Sequence, residues 1–350
     1  MREKNRQVKV TIVIPHHGGR DVLRRCLASL RGTAYRPFQV LVVDNASADG
    51  SDAMLRAEFP EVRIVSNRTN RGYAGGCNDG IRIADTPWVL LLNNDTEVDP
   101  AWLGPLVAAG EADDRIAAVQ PKILSLQDRG CFDYSGAAGG EMDVFGYPFA
   151  RGRIFDHLER DEGQYDAPAD IFWASGAAVL LRKSAAEAAG LLDEDFFAHM
   201  EEIDLDWRLH GAGFRVVSRP DSVVYHLGGG TLQQGSLRKM TLNHRNSLIM
   251  LLKNTSFSAL SFIFPARLLL ELATVAGALA AGSPKRAAAA VLGMLGVIQR
   301  LPVVLRGRAR MRACGVVPEA HVLHRLYRGS IAYKYFIRRR MRADRLGAGG

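Results

Sequence analysis

At 350 residues and 47% hydrophobic content, the chain can bury a sizeable core, which excludes a disordered or fibrous protein. Its net charge of +8 is unevenly spread: residues 236–350 hold 20 Lys or Arg against 3 acids, whereas residues 1–235 hold 25 against 34. An acidic unit, 1–235, thus precedes a basic one, 236–350, and the basic one calls for a polyanion, either nucleic acid or the anionic face of a membrane.

Residues 1–7 are charged and run into the first apolar stretch without a signal segment, so the expected location is cytoplasmic. Residues 10–15 read as a buried strand ending at Pro15 and the pair His16, His17. Residues 21–30 follow with Val22, Leu23, Cys26, Leu27 and Leu30 on one helical face. Residues 40–43 form a second strand that runs into Asp44, Asn45 and Ser47, closing a βαβ unit. A helix over 51–58 and a short strand over 62–65 continue the alternation.

From Asn67 to Gly80 the chain is rich in Gly and Asn, including Asn70, Gly72, Gly75 and Asn78. Such a run is either a plain turn or a loop whose amides approach a bound group before opening a helix over 78–84. Residues 89–92 are a third buried strand delivering Asn93, Asn94 and Asp95. Open parallel sheets bind ligands at the carboxyl ends of their strands, so Pro15, Asp44 and Asp95 are expected in one crevice. Asp95 either caps the next helix or shares a divalent cation with phosphate oxygens.

Residues 128–170 lack periodicity and suggest a long loop or small hairpin excursion over the site. A strand over 171–182 and a helix over 184–189 lead to an acidic block holding Asp193, Glu194, Asp195, Glu201, Glu202, Asp204 and Asp206. Helical spacing pairs Asp204 with Arg208 and puts Glu201 and Glu202 at a helix start. Crowded carboxylates repel, which lifts one pKa toward the range of a general base unless the block is simply solvated. His226 ends a further strand before a glycine run, in a structural, metal or phosphate role.

The tail is helical. Its apolar stretch over 257–281 is interrupted by Pro265, Arg267 and Glu271, which suits an interfacial or re-entrant helix better than a clean span and favours a membrane over nucleic acid. Arg306, Arg308, Arg310 and Arg312, with residues 338–340, either dock on an anionic leaflet or form a solvated helical cap. Cys26, Cys77, Cys131 and Cys314 show no paired spacing, so neither a zinc ribbon nor a disulfide framework is indicated.

Taken in order and spacing, Val10-Thr11-Ile12-Val13-Ile14-Pro15, the Asp44 to Ser51 turn, the Asn67 to Gly80 run, Asn93-Asn94-Asp95, the block through Glu201-Glu202-Ile203-Asp204 to Arg208, and His226 resemble family 2 glycosyltransferases of the GT-A fold, in their rhamnosyltransferase-like branch. The resemblance covers residues 8 to 250. It implies an α/β fold with a Rossmann-like, mostly parallel sheet flanked by helices, followed by a membrane-associating helical region.

It also implies that Pro15, His17, Asp44, Asn45 and Ser47 hold a nucleotide sugar, together with Asn70, Gly72, Gly75, Asn78, Asn94 and Asp95. Asp95, with His226, would bind Mg²⁺ or Mn²⁺, although the first acid of the family's Asp-X-Asp-like motif is Asn93 here. Glu202, with Glu201 as runner-up and Asp204 beside them, would be the base of an inverting transfer. Trp173 and Gly176 fall on the acceptor side, where Trp173 is either a stacking platform or core. The expected donor is deoxythymidine-diphosphate rhamnose, then uridine-diphosphate sugars; the expected acceptor is lipid-linked or a glycan of the cell envelope. An anionic membrane, the inner face of the plasma membrane, is expected as partner, and nucleic acid is not. The rival readings are a nucleotidyltransferase and a non-catalytic nucleotide-sugar-binding scaffold at the membrane.

Overall fold

The structure, a computed structural model, describes residues 8–228 and 235–345. The N-terminal heptapeptide and most of the glycine run after His226 lie outside the described residues. Strands β1 (Val10–His16), β2 (Gln39–Asp44), β3 (Arg63–Ser66) and β4 (Trp88–Leu92) alternate with helices α1 (Arg20–Arg31), α2 (Ser51–Glu58) and α3 (Gly72–Ile83). Then come β5 (Thr96–Val98), α4 (Leu103–Ala112), β6 (Ile116–Ser125), β7 (Gly140–Met142), β8 (Pro148–Ala150), β9 (Arg153–Ile154), β10 (His157–Leu158) and β11 (Ala169–Asp170). Strand β12 (Ala178–Arg182), α5 (Lys183–Ala188), α6 (Glu201–Gly211) and β13 (Arg215–His226) complete the part before residue 235.

The central sheet runs β11-β13-β6-β12-β4-β1-β2-β3, with β5 beside β13. Its half formed by β3, β2, β1 and β4 is parallel, as the βαβ pattern requires. The other half is mixed, because β12 returns antiparallel between β4 and β6. Register aligns the strand ends, with His16 opposite Asp44 and Asp44 opposite Ser66. Each face is covered by its own hydrophobic cluster, one built around α1, α2 and α4, the other around α3, α5 and α6.

Three expectations change. The Gly/Asn run is largely helix rather than loop, because α3 starts at Gly72, whose amide donates to Asn70 Oδ1 at 2.8 Å. Its glycines serve close packing: a Cβ on Gly80 would lie 2.2 Å from Val13 and one on Gly76 2.5 Å from the Asn45 amide. The excursion over 128–170 contains the four-stranded antiparallel sheet β10-β9-β8-β7. The strand expected over 171–182 is confined to β12, since the amides of Ile171, Trp173, Ala174 and Ser175 donate instead to Val216, Gly140, Asp206 and Gln120.

After residue 235 come α7 (Leu237–Asn254), α8 (Phe257–Ala280), α9 (Pro284–Gln299), α10 (Leu301–Cys314) and α11 (Glu319–Leu323). Small residues let α9 lie on α7, where a Cβ on Gly293 would sit 2.5 Å from His244. A third core cluster crosses residue 235, packing Phe132, Phe172 and Trp207 with Leu248, Leu251, Val297 and Leu326. Helix α8 is long and apolar enough to cross a bilayer, yet its charges point inward. Arg267 pairs with Glu271 at 2.6 Å and donates to Ser247 Oγ at 2.7 Å, while Phe262 on the other side is 82% exposed.

Candidate active site

The ends of β1, β2 and β4 form a tightly tied scaffold. Buried His16 is kept neutral, burial holding its pKa below the usual imidazole range despite nearby Asp49 and Asp44. Its Nδ1 accepts from Asn94 Nδ2 at 2.8 Å and its Nε2 donates to Ser51 Oγ at 2.8 Å. Asp44 accepts from the Ser47 amide at 2.9 Å, and Ser47 Oγ in turn accepts from the Gly18 amide at 2.9 Å. His17 Nδ1 donates to the Asn45 carbonyl at 2.8 Å.

Asn45 is committed at both ends of its amide, donating to the Gly72 carbonyl at 3.1 Å and accepting from Asn67 at 2.9 Å. These bonds tie β2 to α3 and leave the second amide hydrogen of Asn45 uncommitted. Asn78 is fully used within the protein, which corrects its assignment to the nucleotide: its amide donates to the Leu192 carbonyl at 2.9 Å and to Glu194 at 3.0 Å and accepts from the Leu192 amide at 3.1 Å. Gly75 is buried within α3, where an added Cβ would meet Arg71 at 2.6 Å, and Pro15 packs near Gly76.

Beyond β4, buried Asp95 faces His226 at the end of β13, with Oδ1 to Nε2 at 3.1 Å. His226 Nδ1 reaches Asp133 Oδ1 at 2.8 Å, so the imidazole bridges two carboxylates. Burial alone would lower its pKa, but hydrogen bonds to Asp133 and Asp95 outweigh that and push it up to about 10. A metal-binding histidine characteristically has its other nitrogen held by a carboxylate, which is the role Asp133 fills, so Asp95 and His226 fit part of a divalent site provided that the cation displaces the proton Nε2 here gives to Asp95. Among the described residues no three His, Cys, Asp or Glu side chains are grouped for a metal. The protein would therefore supply two ligands, the rest coming from ligand oxygens and water.

A second group of candidate residues stands at the start of α6. Three non-glycine residues before it, Phe197, His199 and Met200, have φ of +66°, +71° and +75°, conformations that cost on the order of 1–3 kcal/mol each and cluster at functional sites. Fully buried Asn246 holds them, its amide lying 3.2, 3.0 and 2.8 Å from the carbonyls of Phe196, Ala198 and His199. The Tyr73 amide donates to the Phe197 carbonyl at 2.9 Å.

This segment delivers Glu201 and Glu202, each with a buried Oε2 that has no hydrogen-bond partner. Burial, then repulsion from Glu202, raises Glu201 well above the carboxylate range. Burial lifts Glu202 to about 7, the amides of the helix start holding it back. Lys239 on α7 lies close enough to both groups to interact with His199 and with Asp95 and Asp133.

Two further expectations are corrected. Asp204 lies beneath the site in a buried ion cluster, 3.0 Å from Arg208, 3.1 Å from Lys253 and 2.9 Å from Asn254. Burial would raise its pKa, but the two cations bring it down to about 2, so it is a fixed anion and no proton acceptor. Trp173 is core: its ring lies under Gly140, its Nε1 donates to the Glu141 carbonyl at 2.8 Å, and it is 4% exposed. Buried Gly176 offers its carbonyl to Tyr73 Oη at 2.5 Å, and a Cβ there would meet that oxygen at 2.8 Å. Asp133 and Lys253 leave no mark in the sequence, whereas Asn246 belongs to Asn243-His244-Arg245-Asn246, which resembles the family's bridge to the C-terminal helices without disclosing that it holds this segment. Asn246 follows Arg245 within an otherwise ordinary amphipathic helix, and nothing in the local spacing of Asp133 or Lys253 marks a long-range partner.

Residues 11–161 match the model of "Glycosyl transferase family 2". An N-acetylglucosaminyl-diphospho-decaprenol L-rhamnosyltransferase of Mycobacterium tuberculosis is 30% identical over 247 residues, covering 65% of this chain and 79% of that protein. A pre-mycofactocin glycosyltransferase of the same organism is 31% identical over 223 residues, 62% of this chain and 42% of that protein. Among solved structures, that of GalNAc-T7 with UDP, GalNAc and Mn²⁺ superposes with a TM-score of 0.55 at 17% identity, over 71% of this chain and 48% of that one. That likeness concerns the fold, a GT-A-type α/β arrangement.

Proposed function

The chain belongs to glycosyl transferase family 2, and on that premise we propose that it transfers a sugar from a nucleoside-diphosphate donor to an acceptor hydroxyl with inversion. The observation that carries the reading is Glu202, whose Oε2 is buried without a hydrogen-bond partner and whose pKa burial lifts to about 7. Such a group is half ionised near neutral pH and can accept a proton there. Glu202 takes the acceptor's hydroxyl proton as that oxygen bonds to the anomeric carbon; the carbon–oxygen bond to the diphosphate breaks, and its electron pair leaves with the nucleoside diphosphate. Asp44, Ser47 and the strand ends position the donor. Mg²⁺ or Mn²⁺, when held by Asp95 and His226, would offset the charge of the diphosphate.

Rhamnose carried on deoxythymidine diphosphate is the favoured donor, and a lipid-linked glycan of the cell envelope the favoured acceptor; the name of the mycobacterial relative supports the rhamnosyl group and a lipid-linked acceptor, while the nucleotide rests on the family resemblance. For the location we propose the inner face of the plasma membrane; α8 supports a membrane surface, since its inward charges and outward apolar side suit a helix lying in the headgroup region rather than crossing it. The test is a thermal-shift screen of nucleotide sugars with and without Mn²⁺, since a ligand at a hundred times its Kd adds about 2.7 kcal/mol to stability. Deoxythymidine-diphosphate rhamnose with Mn²⁺ should raise the midpoint of the wild type and not of Asp95→Asn. A wild type indifferent to every nucleoside diphosphate overturns the proposal.

A further inference from the structure

Three arginines converge beside the segment that leads into α6. Asp195 Oδ1 meets Arg300 at 3.2 Å and its Oδ2 meets Arg306 at 3.2 Å. Arg245 lies close enough to Arg300 that burial, and then the charge of Arg300, lower its pKa, while its Nε donates to Asn246 Oδ1 at 2.9 Å. No acid besides Asp195 pairs with these arginines among the described residues, so three cations share one carboxylate. Arg300 sits at the bend of 68° between α9 and α10, and the side chains around it in sequence are apolar and open: Ile298, Leu301 and Leu305 are each at least half exposed. On its other side, the carbonyl of Phe196 receives the Asn246 amide that fixes the approach to Glu201 and Glu202.

A surplus of guanidinium groups at the edge of an apolar surface is the complement of a phosphate at the end of a hydrocarbon chain. Guanidinium forks bind phosphate oxygens in pairs, and the apolar rim can lie against the first part of the chain. General attraction to a charged leaflet needs no such convergence around a carboxylate, and the exposed run Arg338, Arg339 and Arg340 suffices for it. We infer that Arg245, Arg300 and Arg306 receive the diphosphate of a membrane-embedded polyprenyl acceptor, with its chain along Ile298, Leu301 and Leu305. This rests on the proposed transfer to a lipid-linked acceptor, and it names the residues that would hold that acceptor.

The test uses the full chain and phosphatidylcholine vesicles carrying either geranylgeranyl diphosphate or phosphatidylglycerol at equal surface charge. The wild type should bind the diphosphate vesicles about tenfold more tightly, a difference of about 1.4 kcal/mol. Arg300→Gln with Arg306→Gln should erase that preference while binding phosphatidylglycerol within a factor of about two, whereas Arg338→Gln with Arg339→Gln should weaken both vesicle types alike. Should the double variant fail to fold, Arg300→Lys, which keeps the charge and loses the fork, must cut the preference severalfold. Equal binding of the wild type to both vesicles, or a preference that survives these substitutions, overturns the inference. Donor-induced thermal shifts on the same proteins keep this outcome separate: a failed lipid preference with intact donor binding leaves the transferase reading standing.

Discussion

Replacing Glu202 by Gln should weaken catalysis and strengthen the fold, with both effects set by pH. Each pH unit by which a carboxyl is lifted corresponds to about 1.4 kcal/mol. The lift of Glu202 from 4.5 to about 7 therefore makes its ionised form about 3 kcal/mol costly to the folded state. The folded protein holds this proton to higher pH than the unfolded chain does. The stabilising contribution is complete below pH 4.5 and is lost as pH rises through about 7. Glu202→Gln carries no such penalty, so its unfolding free energy from urea titration should match the wild type near pH 4 and exceed it by about 3 kcal/mol near pH 8. Its turnover should fall by roughly 10²–10⁴, the usual contribution of a general base. Wild-type activity should climb with pH and level off above about 7. A variant with the same stability offset at both pH values, or one retaining activity within tenfold, would refute the reasoning.

Lys253→Met removes the cation shared by Asp193 and Asp204 and should cost about 3–5 kcal/mol, read from urea unfolding. Trp173→Phe loses the bond to the Glu141 carbonyl and should cost about 1–3 kcal/mol without raising the acceptor KM; a raised KM at unchanged stability would restore a stacking role. Gly72→Ala meets a left-handed φ of +72° and places a Cβ 2.5 Å from the Phe197 carbonyl. It should destabilise by about 1–3 kcal/mol and lower kcat, because the displaced segment leads to Glu202.

Much of the fold was legible because its signals are local. Buried apolar runs became β1, β2 and β4, and the spacing of Leu23, Cys26, Leu27 and Leu30 became α1. The strand-end carboxylates Asp44 and Asp95 could be placed from the βαβ pattern alone. Asn78, Asp204 and Trp173 could not, since whether a polar group faces a ligand or the interior depends on partners far along the chain. Asn78 is fixed by Leu192, and Asp204 by Lys253 on α7. Glycine frequency likewise suggested a phosphate cradle where the backbone needed room for helix-on-strand contact, as Gly80 against Val13 demonstrates.

The ion cluster on Lys253 also bears on how the enzyme can be handled. Cutting the gene after codon 235 is the obvious way to discard the greasy tail and obtain a crystallisable fragment. That cut would strip Asp193 and Asp204 of their ammonium and lay bare Phe132, Phe172 and Trp207, so the product should precipitate. A workable preparation keeps the chain through Leu326 and shields the outer side of α8 with detergent or nanodiscs.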